Sequence, residues 1–199
     1  MKNCMSGLLK KRRSIYNLGS REVISDNEII GLVKNAVMEC PSAFNSQSGR
    51  CVVLLENQHR LFWNKVTELL RKLVPEKKFQ STAEKMESFI KARGTILFFE
   101  DDEAIADLRV RFPLYKDNFS KWSEHSSGML QYIVWTSLAE HNVGASLQHY
   151  NPLIDDFVVN EWNLPRTWRL VAQMPFGSIE NKADDKTYLS VEDRVKIFK

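Results

Sequence analysis

The chain has 199 residues, 43% hydrophobic and 27% charged, with eleven Phe, five Trp and five Tyr, which suits one large soluble domain with a sizeable core. A net charge of +3 is too small to imply nucleic acid, and no apolar run approaches the length of a membrane span. The opening residues lack the apolar core of a secretory signal, and Cys4, Cys40 and Cys51 show no C-x-x-C spacing, so reduced thiols and a cytoplasmic location are expected.

Along residues 1–19, Leu8 and Leu9 precede the basic run Lys10, Lys11, Arg12, Arg13, and Gly19 breaks the segment. Ser25 and Glu28 form a capping box, since each side chain can satisfy an orphan backbone donor. Ile29, Ile30, Leu32, Val33, Ala36 and Val37 then recur at helical spacing until Pro41. Residues 41–50, dense in Ser, Asn and Gly, are predicted irregular, and the β-branched run 51–55 suits a buried strand. A second helix is predicted over 59–74, with Leu61, Phe62, Val66, Leu69, Leu70 and Leu73 on its apolar side, and a third over 82–92.

Gly94 opens a strand at 95–99, and Glu100, Asp101 and Asp102 then mark the acidic start of a helix that yields at Pro113. Phe112, Tyr115, Phe119 and Trp122 form an aromatic-rich stretch before the central element, a helix over 128–141 that is apolar around most of its circumference. Asn142 and Gly144 stop it, because both tolerate the left-handed conformation, and the loop 145–151 follows as a fixed mount. Residues 155–162 read as a short helix and 168–174 as a strand ending before Pro175 and Gly177. Val191, Val195, Ile197 and Phe198 can pair at a sheet edge. Helices interspersed with three or four strands, without βαβ alternation, give an α+β fold with a small central sheet covered by helices.

Common nucleotide, zinc-protease and serine-hydrolase signatures are absent, and His59, His125, His141 and His149 lack close metal-ligand partners. Four fragments remain. Arg12, Arg13 and Ser14 can grip a phosphate or a polar ring edge, or form a solvated basic run. Ser42, Asn45 and Gln47 offer donors and acceptors on a constrained loop, or are ordinary turn residues. The loop 144–151 is the third. Arg194 and Lys196 would share one face of a strand, or protect an edge by charge.

In this order the fragments RRSIYNL, PSAFNSQSGR, GTILFFED, WSEHSSGM, GASLQHYNPLI and EDRVKIF resemble the FMN-dependent nitroreductase family. The resemblance is greatest to its short branch of fatty-acid-repression-mutant-like and copper-induced nitroreductases, and it covers nearly the whole chain. It implies an intertwined α+β homodimer with a mixed or antiparallel central sheet, 1–199 being a single domain and 181–199 a tail reaching the partner. Two FMN sites in the dimer interface are implied as well. The phosphate and ribityl grip would fall on Arg12, Arg13 and Ser14, and the loop offered by the neighbouring subunit on Pro41, Ser42, Ala43, Asn45 and Gln47. The loop beside the flavin ring would fall on Leu147, Gln148 and His149, and the phosphate clamp on Arg194 and Lys196.

The implied activity is ping-pong: NADH or NADPH donates hydride and leaves, then a nitroaromatic or quinone takes its place, with a role in stress defence as the accompanying expectation. With the chemistry on the cofactor, no side chain is expected to be acid, base or nucleophile. Phe112, Tyr115, Phe119 and Trp122 are the expected aromatic wall for flat acceptors, or core packing. Two departures concern the flavin environment. Leu147-Gln148-His149 stands where longer members carry Glu-Gly, and Ser48-Gly49 where Pro-Trp is frequent. A flavin-binding sensor without turnover is the alternative, and no nucleic acid, membrane or metal is expected.

Overall fold

The structure, a computed structural model, describes residues 5–199, so Cys4 lies outside the described residues. Helix α1 (Met5–Lys11) and the two-residue strand β1 (Leu18–Gly19) lead to α2 (Asp26–Glu39), β2 (Gly49–Leu55), α3 (Glu56–Leu73) and α4 (Glu76–Ile90). Then come β3 (Gly94–Asp101), α5 (Asp102–Arg111), α6 (Phe119–Glu140), β4 (Gly144–Ala145), α7 (Asp155–Glu161) and β5 (Trp168–Ile179). The sheet runs β1-β5-β3-β2 with β4 also on β5, and every strand pair is antiparallel. The α+β expectation holds, with five strands rather than three or four.

β3 explains the layering. Its residues alternate between two cores: Ile96 and Phe98 pack with Ile29 and Val33 of α2 and Leu130, Val134 and Leu138 of α6. Leu97 and Phe99 pack on the other face with Phe62, Trp63 and Val66 of α3 and Met86 and Phe89 of α4. A strand covered on both sides needs a continuous apolar run, and TILFF supplies one. The capping box at Ser25 and Glu28 forms as the sequence implies, with the Glu28 amide donating to Ser25 Oγ at 3.3 Å.

Several boundaries differ from the sequence reading, each for a physical reason. α6 starts at Phe119, not 128, because its polar first turns are satisfied internally: Ser123 Oγ donates to Ser120 O, Ser126 Oγ to Trp122 O, and Gln131 Nε2 to Ser127 Oγ. On α3, Trp63 is buried while Leu61 and Leu73 are exposed. β5 continues through Pro175 and Gly177. The Pro175 carbonyl accepts from the Ser146 amide at 3.3 Å, so the missing Pro175 N–H faces the end of short β4 rather than the β3 ladder. A Cβ on Gly177 would stand 2.1 Å from the Gly19 carbonyl oxygen, so glycine is what lets β1 join the sheet there.

Asn142, at φ 61°, does stop α6 in the left-handed region, whereas Gly144 has no positive φ. Glycine is needed at 144 for space, since a Cβ would lie 2.8 Å from Ile179 Cγ1 and 2.9 Å from Leu18 Cδ2. Of the acidic trio, Asp101 caps α5 by accepting from the Glu103 amide, while Glu100 is turned into the core. The predicted edge strand at 191–198 does not form: residues 187–199 carry no helix or strand, and Val191, Val195, Ile197 and Phe198 are exposed.

A buried polar trio ties α3 to β3. Trp63 Nε1 donates to Thr95 Oγ1 at 2.8 Å, and His59 Nδ1 lies 2.9 Å from the same oxygen. With His59 Nε2 3.3 Å from the Ile90 carbonyl, the consistent arrangement has Nε2 protonated and the Thr95 hydroxyl donating to Nδ1. Burial accordingly lowers the His59 pKa to about 4. Thr95→Val keeps the shape but orphans both rings' nitrogens. It is predicted to cost about 2–4 kcal/mol in urea unfolding, and a loss below about 0.5 kcal/mol contradicts the trio's role.

Candidate functional site

Two groups of predicted site residues sit at opposite ends of α6. At its C-terminal half, the Arg12 guanidinium lies 4.3 Å from the Trp135 ring and 5.8 Å from that of Tyr132, while Lys11 Nζ donates to the Glu140 carbonyl at 2.9 Å. Arg12, Arg13, Ser14 and Asn17 then line a cleft of about 490 Å³ whose other wall includes Lys182, Asp184 and Lys186. Arg13 donates to the Asp184 carbonyl oxygen. Arg12 Nε is buried without a hydrogen-bond partner among the described residues. An unsatisfied guanidinium N–H costs free energy unless an acceptor meets it. A cleft of this size with more cations than carboxylates suits a small anion-bearing ligand.

The loop 145–151 is joined to this cleft by backbone. Ser14 bridges Ala145, and the Ile15 amide donates to the Ala145 carbonyl at 2.9 Å. Its rigidity comes from Gln173 of β5, a fully buried polar residue. Gln173 exchanges backbone bonds with Gln148 at 2.7 and 2.9 Å, accepts from the Tyr150 amide at 2.7 Å, and donates to Asn151 Oδ1 at 3.0 Å. Gln148 is buried, with its amide on Ser146 Oγ, while Leu147 is half-buried and His149 exposed. Of this predicted trio only Leu147 and His149 offer side-chain surface.

At the N-terminal half of α6 lies the loop 41–47. Phe44, Asn45 and Gln47 have φ of 56°, 51° and 47°, a left-handed conformation that non-glycine residues adopt only when held there. The Gln47 amide donates to Ser42 Oγ at 3.0 Å, and Arg50 closes the loop by donating to the Gln47 carbonyl and to Asp101 Oδ2 at 2.9 Å. Asn45 and Gln47 are exposed, and their side chains make no hydrogen bond among the described residues. Pro41 and Ala43 shape the turn.

Phe44 is the residue the aromatic wall is built on. Its ring centroid lies 4.7 Å from Phe112, 5.6 Å from Tyr115, 5.4 Å from Phe119 and 6.1 Å from Trp122, which it stacks. The four aromatics therefore cluster, around a member missed from the sequence. Phe119 must be corrected: only 1% exposed and packed with Ile105 and Leu108, it supports the wall from behind rather than facing a ligand. The open depression beside the wall is bounded by Phe44, Trp122, His125 and Met129.

Behind loop 41–47 sits Glu100, 0% exposed at the end of β3. Ser48 Oγ donates to its Oε2 at 2.6 Å, and Oε1 has no partner among the described residues. Burial pushes this carboxyl up to about 7, the Glu124 charge adds to the rise, and Ser48, Arg169 and Arg50 oppose it. Burial also raises the Cys51 thiol to about 12, so this cysteine is an inert core group.

Arg194 and Lys196 do not line the Arg12 cleft. They lie on the exposed tail, where the Arg194 amide donates to the Val191 carbonyl and Lys196 Nζ to the Glu192 carbonyl at 2.8 Å. The strand face expected to pair them is absent. The sequence did hold signals for the missed residues: a lone aromatic in a polar loop (Phe44), a glutamine in an apolar strand (Gln173), and a carboxylate directly after an apolar run (Glu100).

The nitroreductase family model matches residues 9–178. HBN1 of Saccharomyces cerevisiae is 32% identical over 96% of this chain and 94% of its own length. The nitroreductase CinD of Lactococcus lactis, solved in complex with chloramphenicol, is 44% identical with a TM-score of 0.91 over 98% of this chain and 100% of its own. A protein from Exiguobacterium sibiricum solved with FMN is 14% identical and shares the fold, with a TM-score of 0.73 over 98% of this chain and 97% of its own.

Glu100 also links stability to pH. Its folded pKa, about 7, exceeds the ordinary 4.5, so its contribution is full below pH 4.5 and is lost as pH rises through 7. Relative to Glu100→Gln, the unmutated protein is predicted to lose up to about 3 kcal/mol in urea unfolding between acid and alkaline conditions. A stability difference that stays flat across that window contradicts this.

Proposed function

The chain belongs to the nitroreductase family, and from that premise we propose that it is an FMN-dependent oxidoreductase, driven by NADH or NADPH, that reduces nitroaromatic or quinone-like acceptors. The observation that carries the cofactor assignment is the Arg12 cleft. Cationic side chains from residues 12–13 and 182–186 converge there, and the buried Arg12 Nε awaits an acceptor. A phosphate fits that donor set, because charge-assisted bonds from guanidinium and ammonium groups are the strong kind. When bound, FMN supplies the hydride chemistry that no side chain of the chain provides.

The residues of the chain then act by holding and excluding. Arg12, Arg13 and Ser14 grip the phosphate end, and the loop 147–149, fixed by Gln173, forms a rigid wall beside the ring. Asn45 and Gln47 present free amides, and Phe44 with Trp122 offers a flat apolar face to aromatic acceptors. The complexes of CinD with chloramphenicol and with 4-nitrophenol, both nitroaromatics, support that acceptor class.

The same reading calls for assembly as a homodimer. Trp122 and Trp135 are thirteen residues apart on one helix, about 20 Å along its axis, so loop 41–47 and the Arg12 cleft of one chain stay separate. A two-fold axis across the middle of α6 sets the loop of one copy beside the cleft of the other. His125, Gly128, Met129 and Tyr132, all exposed and at helical spacing, give α6 a face for that contact. The exposed tail with Ile197 and Phe198 would lie over the partner and carry Arg194 and Lys196 with it.

An absorption spectrum tests this directly. The purified protein is expected to show oxidised-flavin bands that bleach under anaerobic NADH or NADPH and return on adding a nitroaromatic. A colourless protein that also fails to take up added FMN contradicts the cofactor, and bound FMN without turnover contradicts the enzyme. Arg12→Ala and Lys196→Ala are each predicted to weaken FMN roughly 10- to 100-fold in a fluorescence titration, the worth of one charged hydrogen bond. Unchanged affinity in both variants contradicts the clamp.

A further inference from the structure

Glu100 has no part in cofactor holding as described above, yet it is built like a working group. It is a wholly buried carboxyl with one oxygen bonded and one free, directly after the apolar run Ile96 to Phe99 of β3. Glu100 lines a cavity of about 170 Å³ together with Cys40, Ser42, Gln47, Gly49, Ser126 and Leu130, and a Cβ on Gly49 would stand 3.9 Å from the free Oε1. That volume admits a few waters, and the polar lining gives them partners. On the other side, Ser48 Oγ lies 2.6 Å from Oε2, donating to it when the carboxylate is charged and accepting from it when Oε2 carries the proton, which frees the Ser48 hydrogen for Ser46 Oγ at 3.4 Å. Ser46 belongs to the strained loop that presents Asn45 and Gln47.

We propose that Glu100 is the proton store of the acceptor half-reaction, refilled from solvent through the cavity and discharging through Ser48 and Ser46 to the loop 41–47. The inference rests on the oxidoreductase reading. A two-electron nitro reduction, R–NO2 + H⁻ + H⁺ → R–NO + H2O, consumes one proton beyond the hydride that NAD(P)H provides. The hydride adds to nitrogen, the proton to an oxygen, one N–O bond breaks, and both hydrogens leave in water. Burial keeps a carboxyl protonated near neutral pH, where an exposed one is empty, and a store matched to the working pH both gives and regains its proton readily.

The groups facing Glu100 set its balance. Arg50 from β2 and Arg169 from β5 favour the charged form, and Glu124 from α6 disfavours it. Arg169 is itself held by Asp102 at 3.2 Å and Glu124 at 2.9 Å, and Arg50 by Asp101 at 2.9 Å, so neither is free to form an ion pair with Glu100. Cys40 at the end of α2 and Cys51 on β2 are neutral thiols with raised pKa values. Ser48 acts by position, as the one hydroxyl bonded to the carboxyl. It stands in the pair that departs from the Pro-Trp frequent in the family, and proline could not donate this bond.

The test uses Glu100→Gln, which keeps shape without titrating, and Ser48→Ala, which leaves the acid but cuts its outlet. Infrared difference spectra of the flavin-free protein, unmutated minus Glu100→Gln, are expected to show a protonated-carboxyl band that vanishes as pH rises through about 7. In rapid-mixing kinetics with 4-nitrobenzoate, both variants should slow reoxidation at least about tenfold, and Glu100→Gln should lose its pH dependence around neutrality. Reduction by NADH or NADPH should be unchanged. Unmutated reoxidation rates in both variants, equal slowing of both half-reactions, or the absence of the infrared band overturns the relay alone. Failure of the unmutated protein to turn over any nitroaromatic or quinone overturns the oxidoreductase reading with it, while the infrared titration still reports on Glu100.

Discussion

The constraint on which the candidate site depends is the length of α6. One 22-residue helix packs through Leu130, Val134 and Leu138 into the core and carries a different functional element at each end. At one end Trp135 cradles the Arg12 guanidinium, and at the other Trp122 stacks on Phe44 of the strained loop. A packed helix is a rigid spacer, so these elements cannot drift together within one chain. On the proposed two-copy reading each is half of a site, one cationic and one aromatic and amide-bearing. Complementary halves fixed at opposite ends of a rod are what a two-fold axis joins.

Both halves are preorganised. The loop 145–151 is tied down chiefly by one glutamine, Gln173, whose backbone and side chain both bond to it, with Asp155 and the Leu170 carbonyl holding Asn151. The loop 41–47 holds three non-glycine residues at positive φ, a strain balanced by the Phe44 ring contacts, the Ser42 hydroxyl and the Arg50 clamp. Such loops lose little further freedom on meeting a ligand, which favours binding without adding contacts. Among the buried polar atoms left unpaired in the described residues, Arg12 Nε and Glu100 Oε1 belong to residues that each line a cavity.

Much of the fold was legible because local and tertiary demands agree. The Ser25–Glu28 cap, the TILFF run and the Asn142 stop are each dictated by backbone satisfaction or two-sided burial, and each forms as read. What escaped depends on long-range partners. Ser123, Ser126 and Ser127 look like loop residues until the helix satisfies their hydroxyls, and Pro175 looks like a strand end until the sheet places its missing donor past β4. Phe44 gains its role only from four rings distant in sequence. The tail 187–199 is the clearest case. Its alternating apolar and basic residues suit a strand, but within one chain it bonds only to itself.

Native mass spectrometry of the purified protein, beside a version ending at residue 186, tests the two-copy site most directly. The account predicts two chains with two FMN for the intact protein, and loss of both the second chain and the flavin on removing the tail. A monomer that retains one FMN, in either version, would contradict it.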